Sequence, residues 1–164
     1  MYLANSPVGP LTDSNARRTL SNLICTLNAA YPDYDFSGLT LDSLTRERSV
    51  ESVVRRVDSH LEQAYKGMGQ GLRTTMWLAV DDVIQPADCE IYSYTSLDDD
   101  SPFGEDSQVW STHLFFYNRR QKKVLLLALS AHNRFSLSEE DELDNDAEMD
   151  VDDAFRTRLS TLAY

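Results

Sequence analysis

The chain has 164 residues, of which 41% are hydrophobic and 26% charged, and a formal net charge of −12. That length suits one domain with a sizeable buried core. The longest unbroken apolar run, residues 124–129, is far short of the roughly 20 residues a membrane-spanning helix needs.

Residues 1–13 hold Pro7, Gly9 and Pro10 among small polar neighbours and read as a linker; they show neither a basic n-region nor an apolar h-region, so no signal peptide is visible. Asp13 or Ser14 can cap the helix that follows, in which Leu20, Leu23, Ile24 and Leu27 recur at i, i+3, i+4 and i+7. Arg17, Arg18 and Asn22 fall off that apolar face. Pro32 ends the helix, because the residue before a proline avoids helical backbone. A second helix is predicted over 49–66 from Val50, Val53, Val54, Val57, Leu61, Ala64 and Tyr65. Gly67, Gly69 and Gly71 interrupt it, and a third helix over 72–84 turns Met76, Trp77, Val80 and Ile84 inward. The texture then changes to strands at 89–95, 109–118 and 124–129, the last two joined by a hairpin turn over 118–123. The strand at 124–129 is apolar on both faces and predicts cover on both sides. Trp110 and Tyr117, seven residues apart, lie on opposite faces of a regular strand. Residues 139–153 hold ten acids and no base; the remaining 17 acids against 15 bases leave only −2 for the rest of the chain. Residues 152–164 offer a short amphipathic helix through Phe155, Leu159 and Leu162. The fold class is therefore α+β: an antiparallel sheet packed with about three helices in a single globular domain over 14–133, followed by an acidic, largely disordered tail over 134–164.

The chemistry-bearing residues do not assemble into a reaction centre. Gly67-x-Gly69-x-Gly71 follows a helix, has the wrong spacing for a phosphate-cradling loop and reads as a helix–helix connection. The acidic loop around Asp98, Asp99, Asp100, Glu105 and Asp106 fails the EF-hand pattern, which needs an oxygen ligand at Pro102 and glycine at Phe103. His60, His113 and His132 have no metal-binding neighbours in sequence, and Cys25 and Cys89 read as small core hydrophobes suited to a reducing compartment. No nucleophile–base pair, cofactor motif or metal-ligand spacing is present, so no enzyme activity, cofactor or metal is expected. The acidic run disfavours sequence-specific nucleic-acid binding and suits basic protein surfaces, such as histones if the chain is a generic acidic adaptor; it also fits a segment that only solvates the chain.

Three stretches resemble a known family: Asn15-Ala-Arg-Arg-Thr-Leu20 with residues 23–28, Tyr31-Pro-Asp-Tyr-Asp-Phe-Ser37, and Val109-Trp110-Ser111 ahead of Phe115-Phe-Tyr-Asn-Arg119. Met76-Trp77-x-Ala79-Val80-Asp81, Cys89-Glu-Ile-Tyr-Ser-Tyr94 and Pro102-Phe-Gly-Glu-Asp106 add to them. Together they resemble the Maf-one family, negative regulators of RNA polymerase III, from about Ser6 to about Leu129. The resemblance implies a non-enzymatic α+β protein that binds RNA polymerase III and its initiation factor TFIIIB. It implies block of initiation at transfer-RNA and 5S genes under starvation or stress, restraint by regulatory protein kinases, and shuttling between nucleus and cytoplasm. The family pattern includes a leading block whose strands join the sheet. Here Met1-Tyr2-Leu3-Ala4-Asn5 passes almost at once into the linker, so that block is expected to be missing and an edge beside 124–129 to be exposed. Binding being the expected mechanism, the surfaces expected to meet a partner are the acidic loop with Phe103 (Asp98, Asp99, Asp100, Glu105, Asp106) and the basic turn Arg119, Arg120, Lys122 and Lys123. Asp33, Tyr34 and Asp35 follow, unless their aromatic neighbours only seal the fold. Ser6, before Pro7, and Ser136 and Ser138, with acids three residues on, are expected phosphorylation sites; each phosphate would add about −1.5 to −2 charge.

Overall fold

The computed structural model describes residues 6–69, 71–96 and 108–132 in full and residues 157–162 by their backbone. Helix α1 (Ser14–Ala30) starts where Asp13 accepts a hydrogen bond from the Asn15 N–H at 3.0 Å and ends at Tyr31, before Pro32. Its Leu23 and Leu27 are fully buried, and the hydroxyls of Thr19 and Thr26 are satisfied by the carbonyls four residues back.

The single helix expected over 49–66 is two. Helix α2 (Val50–His60), capped by Ser49, stops at Leu61, whose backbone leaves the helical region at φ −90° and ψ 4°; α3 (Glu62–Met68) resumes beyond it. The apolar period hides the break because Val57, Leu61 and Ala64 all stay buried in one cluster. Gly69, at φ +87°, makes the connection that only glycine accepts without strain, and α4 (Gly71–Ile84) follows. Of the three glycines expected to break the helix, only Gly69 does so; Gly67 lies within α3 and Gly71 opens α4.

Five antiparallel strands form one sheet in the order β1-β2-β3-β4-β5 among the described residues. They are β1 (Leu44–Arg46), β2 (Glu90–Tyr94), β3 (Gln108–Asn118), β4 (Lys123–His132) and β5 (Thr157–Leu162). The central hairpin β3–β4 runs in register from Asn118↔Lys123 to Trp110↔Ala131, with an irregularity at Gln108/Trp110. Helix α1 covers one sheet face, over Tyr92, Tyr94, Phe115, Tyr117 and Leu126. Helices α2, α3 and α4 cover the other, over Ile91, Leu114, Phe116, Leu125, Leu127 and Leu129. The cover predicted on both faces of 124–129 is present, and Trp110 and Tyr117 do pack into opposite clusters.

Four further expectations are corrected. Residues 157–162 form strand β5 rather than a helix, because pairing with β4 satisfies six residues of ladder that a short isolated helix could not stabilise. The same pairing, Val124↔Leu162 to Leu129↔Thr157, covers the edge of β4 that was expected to be exposed. The segment 6–13 is not a free linker: Val8 is buried against the α1 side of the sheet, and the Gly9 N–H closes a turn on the Ser6 carbonyl. Cys25 is exposed rather than buried, since its place on α1 lies beside the apolar stripe and not on it.

Candidate functional site

The stretch Phe115–Arg119 shows how a run of side chains builds the region around the hairpin turn. Alternation along β3 sends Phe115 and Tyr117 to the α1 face and Phe116 to the other. Asn118 is fully buried and pays off two backbone groups at once: its Nδ2 donates to the Ile84 carbonyl at the end of α4 (3.0 Å), and its Oδ1 accepts from the Gln121 N–H in the turn (3.0 Å). Gln121 Nε2 in turn donates to Gln85 Oε1, and Gln85 closes α4 in the left-handed region at φ +54°. The turn is thereby bolted to the end of α4.

The basic residues of this turn divide into two kinds. The Arg119 guanidinium donates to Glu90 Oε2 at 3.0 Å and to the Thr19 hydroxyl at 3.2 Å, and lies 5.6 Å from the centre of the Tyr117 ring. Burial lowers its pKa, but the hydrogen bond and charge of Glu90, aided by Tyr92 and Tyr117, outweigh that and leave it raised. Arg120 pairs with Asp88. Lys122 and Lys123 have no ion-pair partner among the described residues, and Lys122 sits at φ +54°. Of the four expected contact residues, Arg119 is chiefly an internal tie, Arg120 is exposed but paired with Asp88, Lys122 is exposed and Lys123 is half-buried.

Next to the turn a cavity of about 660 Å³ opens between α1 and the β3–β4 hairpin. Asn15, Arg18, Asn22 and Cys25 line it from one stripe of α1; Tyr117, Arg119, Lys122 and Val124 line it from the hairpin. Two hydrogen bonds hold its walls together, Asn22 Nδ2 to the Tyr117 hydroxyl at 3.2 Å and Arg119 to Thr19. Sequence reading placed Arg18 and Asn22 off the apolar face of α1 but had no signal that Lys122, about a hundred residues on, would join them.

The other expected surfaces lie elsewhere. Asp33, Tyr34 and Asp35 occupy the loop after α1. Tyr34 is 43% exposed, and Asp35 accepts from the Ser37 N–H at 2.9 Å; hydrogen bonds from Ser37 hold its carboxyl below the ordinary range. Phe36 seals the fold: it is buried edge-on to Tyr94, and its N–H donates to Asn28 at 2.8 Å. Ser6 is half-buried in its turn, where its hydroxyl oxygen accepts from the Val8 N–H. Asp98, Asp99, Asp100, Phe103, Glu105, Asp106, Ser136 and Ser138 lie outside the described residues.

The remaining polar clusters are structural. Asp58 accepts from the Tyr65 hydroxyl (3.1 Å), the Trp77 indole N–H (3.0 Å) and Arg73 (2.7 Å), joining α2, α3 and α4. Burial raises its pKa, but the donors of Arg73, Trp77 and Tyr65 outweigh that and hold it below the usual value. His60 stacks on Trp110 at 4.7 Å and hydrogen-bonds Thr112, and burial pushes His113 down to about 4. The Cys89 thiol donates to the Ile84 and Gln85 carbonyls and is pushed up to about 12, chiefly by burial. Among the described residues, no group of three or more His, Cys, Asp or Glu side chains is placed to hold a metal, and no helix is long and apolar enough to cross a membrane.

Comparison with known proteins gives concordant results. The family described as Maf1 regulator matches residues 1–128. A Schizosaccharomyces pombe protein named repressor of RNA polymerase III transcription maf1 is 40% identical over 124 residues, covering 76% of this chain and 51% of that protein. A Dictyostelium discoideum repressor of RNA polymerase III transcription is 32% identical over 120 residues, 73% of this chain and 43% of its own length. The chain thus spans about half or less of these curated relatives. A crystal structure of citrus MAF1 is similar with a TM-score of 0.65 and 34% identity, covering 75% of this chain and 72% of that one.

Proposed function

Because this chain belongs to the Maf1 regulator family, we propose that it is a negative regulator of transcription that acts by binding RNA polymerase III. The observation that carries this reading is the 40% identity, over 124 residues, to a repressor of RNA polymerase III transcription. The finer reading extends it. The chain engages TFIIIB as well as the polymerase, blocks initiation at transfer-RNA and 5S genes under starvation or stress, answers to regulatory protein kinases, and moves between nucleus and cytoplasm. It works as a binding protein, not as a catalyst.

Arg120, exposed though paired with Asp88, and half-buried Lys123, without an ion-pair partner among the described residues, are the groups of the basic turn offered to an acidic polymerase surface. Such charges govern encounter rate and specificity, so binding weakens as salt rises. Arg119 is left alone in testing this surface, because reversing it would also break its ties to Glu90 and Thr19. Immobilised chain is offered purified RNA polymerases I, II and III across a salt series. Selective retention of polymerase III, reduced about tenfold or more by Arg120→Glu with Lys123→Glu, is the expected result. Equal retention of all three, or none by a chain with native circular dichroism, overturns the reading. Retention unchanged in the double variant moves the contact away from the turn. Deleting residues 139–153 separates repressor from generic acidic adaptor: polymerase binding survives in the first and is lost in the second.

A further inference from the structure

The cavity between α1 and the hairpin has the chemistry of an anion site. Among its described lining residues there are three cations, Arg18, Arg119 and Lys122, and no carboxylate. Arg119 already shares its charge with Glu90, which leaves two cations, Arg18 and Lys122, without an acidic partner among the described residues. Uncharged donors complete the lining: the Asn15 and Asn22 amides and the Tyr117 hydroxyl. Arg119 is fixed by Glu90 and Thr19, so it meets a ligand with little ordering left to do.

We propose that this cavity binds a phosphate monoester or polyphosphate carried on an organic body, with Arg18 and Lys122 as the charge partners of the phosphate and Arg119 as the preset third donor. The charge balance selects phosphate over a carboxylate. Two uncompensated cations match the −1.5 to −2 of a phosphate monoester near pH 7, and Arg119 beside them suits the larger charge of a polyphosphate, whereas a carboxylate leaves one cation unmatched. Guanidinium groups add the forked geometry that phosphate oxygens accept. Size selects the organic body. At about 660 Å³ the cavity is several times larger than a phosphate group and falls within the roughly 300–1,000 Å³ of ordinary ligand sites. Cys25, Thr26 and Val124 line the space left over. The site stands apart from the polymerase reading and does not depend on it.

Cys25 supplies a local reporter. It is exposed on the cavity wall, while Cys89 is held by two carbonyls with its thiol pushed up to about 12. Alkylation by iodoacetamide in the intact 164-residue chain therefore reads one position. The rate is measured with ATP, with a phosphoserine peptide, and with adenosine and the unphosphorylated peptide as controls, alongside calorimetric titration of each. Saturable binding of ATP or of the phosphopeptide, with Cys25 alkylation slowed about fivefold or more, is expected. ATP alone marks a nucleotide-type ligand, the phosphopeptide alone marks a phosphorylated protein segment, and both mark recognition of the phosphate irrespective of its carrier. Arg18→Gln with Lys122→Asn should weaken the bound probe about tenfold or more, asparagine being chosen because it accepts the left-handed backbone of Lys122. Equal binding of the unphosphorylated controls, no binding of either phosphorylated probe, or full affinity in a double variant with native circular dichroism would each overturn the proposal.

Discussion

Asp58 shows how one carboxylate can govern three helices. Its oxygens take donors from Tyr65 on α3 and from Arg73 and Trp77 on α4, while it stands on α2 itself. Removing it strands half-buried donors in a place water reaches poorly, so Asp58→Ala should cost about 2–3 kcal/mol in chemical denaturation. Loss of well under 0.5 kcal/mol would mean that solvent replaces the carboxylate. His113 acts in the opposite electrostatic sense. Burial holds it at about 4 in the folded chain against an ordinary 6.5, so the fold admits only the neutral ring. The unfolded chain binds a proton that the folded one refuses; stability is complete above pH 6.5 and falls as pH drops toward 4. The loss attributable to this ring is on the order of 3 kcal/mol. Denaturation midpoints measured from pH 7 to 4 should fall for the native chain and flatten for His113→Phe; parallel curves would assign the acid sensitivity elsewhere. Asp58 and His113 were visible in the sequence only as a polar helix position and a strand histidine, since neither role exists until distant elements meet.

At the scale of elements, legibility followed the length over which a local pattern repeats. Helix α1 and strands β3 and β4 announce themselves because each runs through several periods against a single environment. Strand β1 has three residues, pairs with β2 some fifty positions later, and has no pattern to read. Strand β5 was misread because Phe155, Leu159 and Leu162 fit a helical spacing, and its pairing with β4 overrides that local preference. The pairing carries a consequence. Truncating the chain before Thr157 bares the edge of β4 from Val124 to Leu129, its apolar stretch, and invites association between chains. Light scattering at matched concentration should rise for the truncated chain and stay flat for the whole one; equal scattering would show that β5 does not protect this edge. The cavity was half legible. A polar stripe at 15, 18, 22 and 25 keeps helical spacing, whereas its opposite wall depends on where the hairpin comes to rest.

For the whole molecule, the sheet is a shared partition: α1 on one side, three helices on the other, and the hairpin β3–β4 touching both cores. Charge is distributed differently from mass, with ten of the 27 acids confined to residues 139–153, so the net charge of −12 says little about the rest of the chain. Any surface reading must therefore be made on local groups such as the basic turn. The bolting of that turn through Asn118 also has a consequence in time. The hairpin closes a loop of only a few residues, whereas β1–β2 and β4–β5 must each close tens of residues, so the hairpin ladder is the cheapest long structure for the chain to assemble first. Leu127→Ala should accordingly slow refolding, while Leu23→Ala, on the helix that docks against the finished sheet, should mainly hasten unfolding. In stopped-flow kinetics the two variants would separate onto opposite arms of the chevron, and the order in which the partition and its two coverings come together would be read from which arm moves.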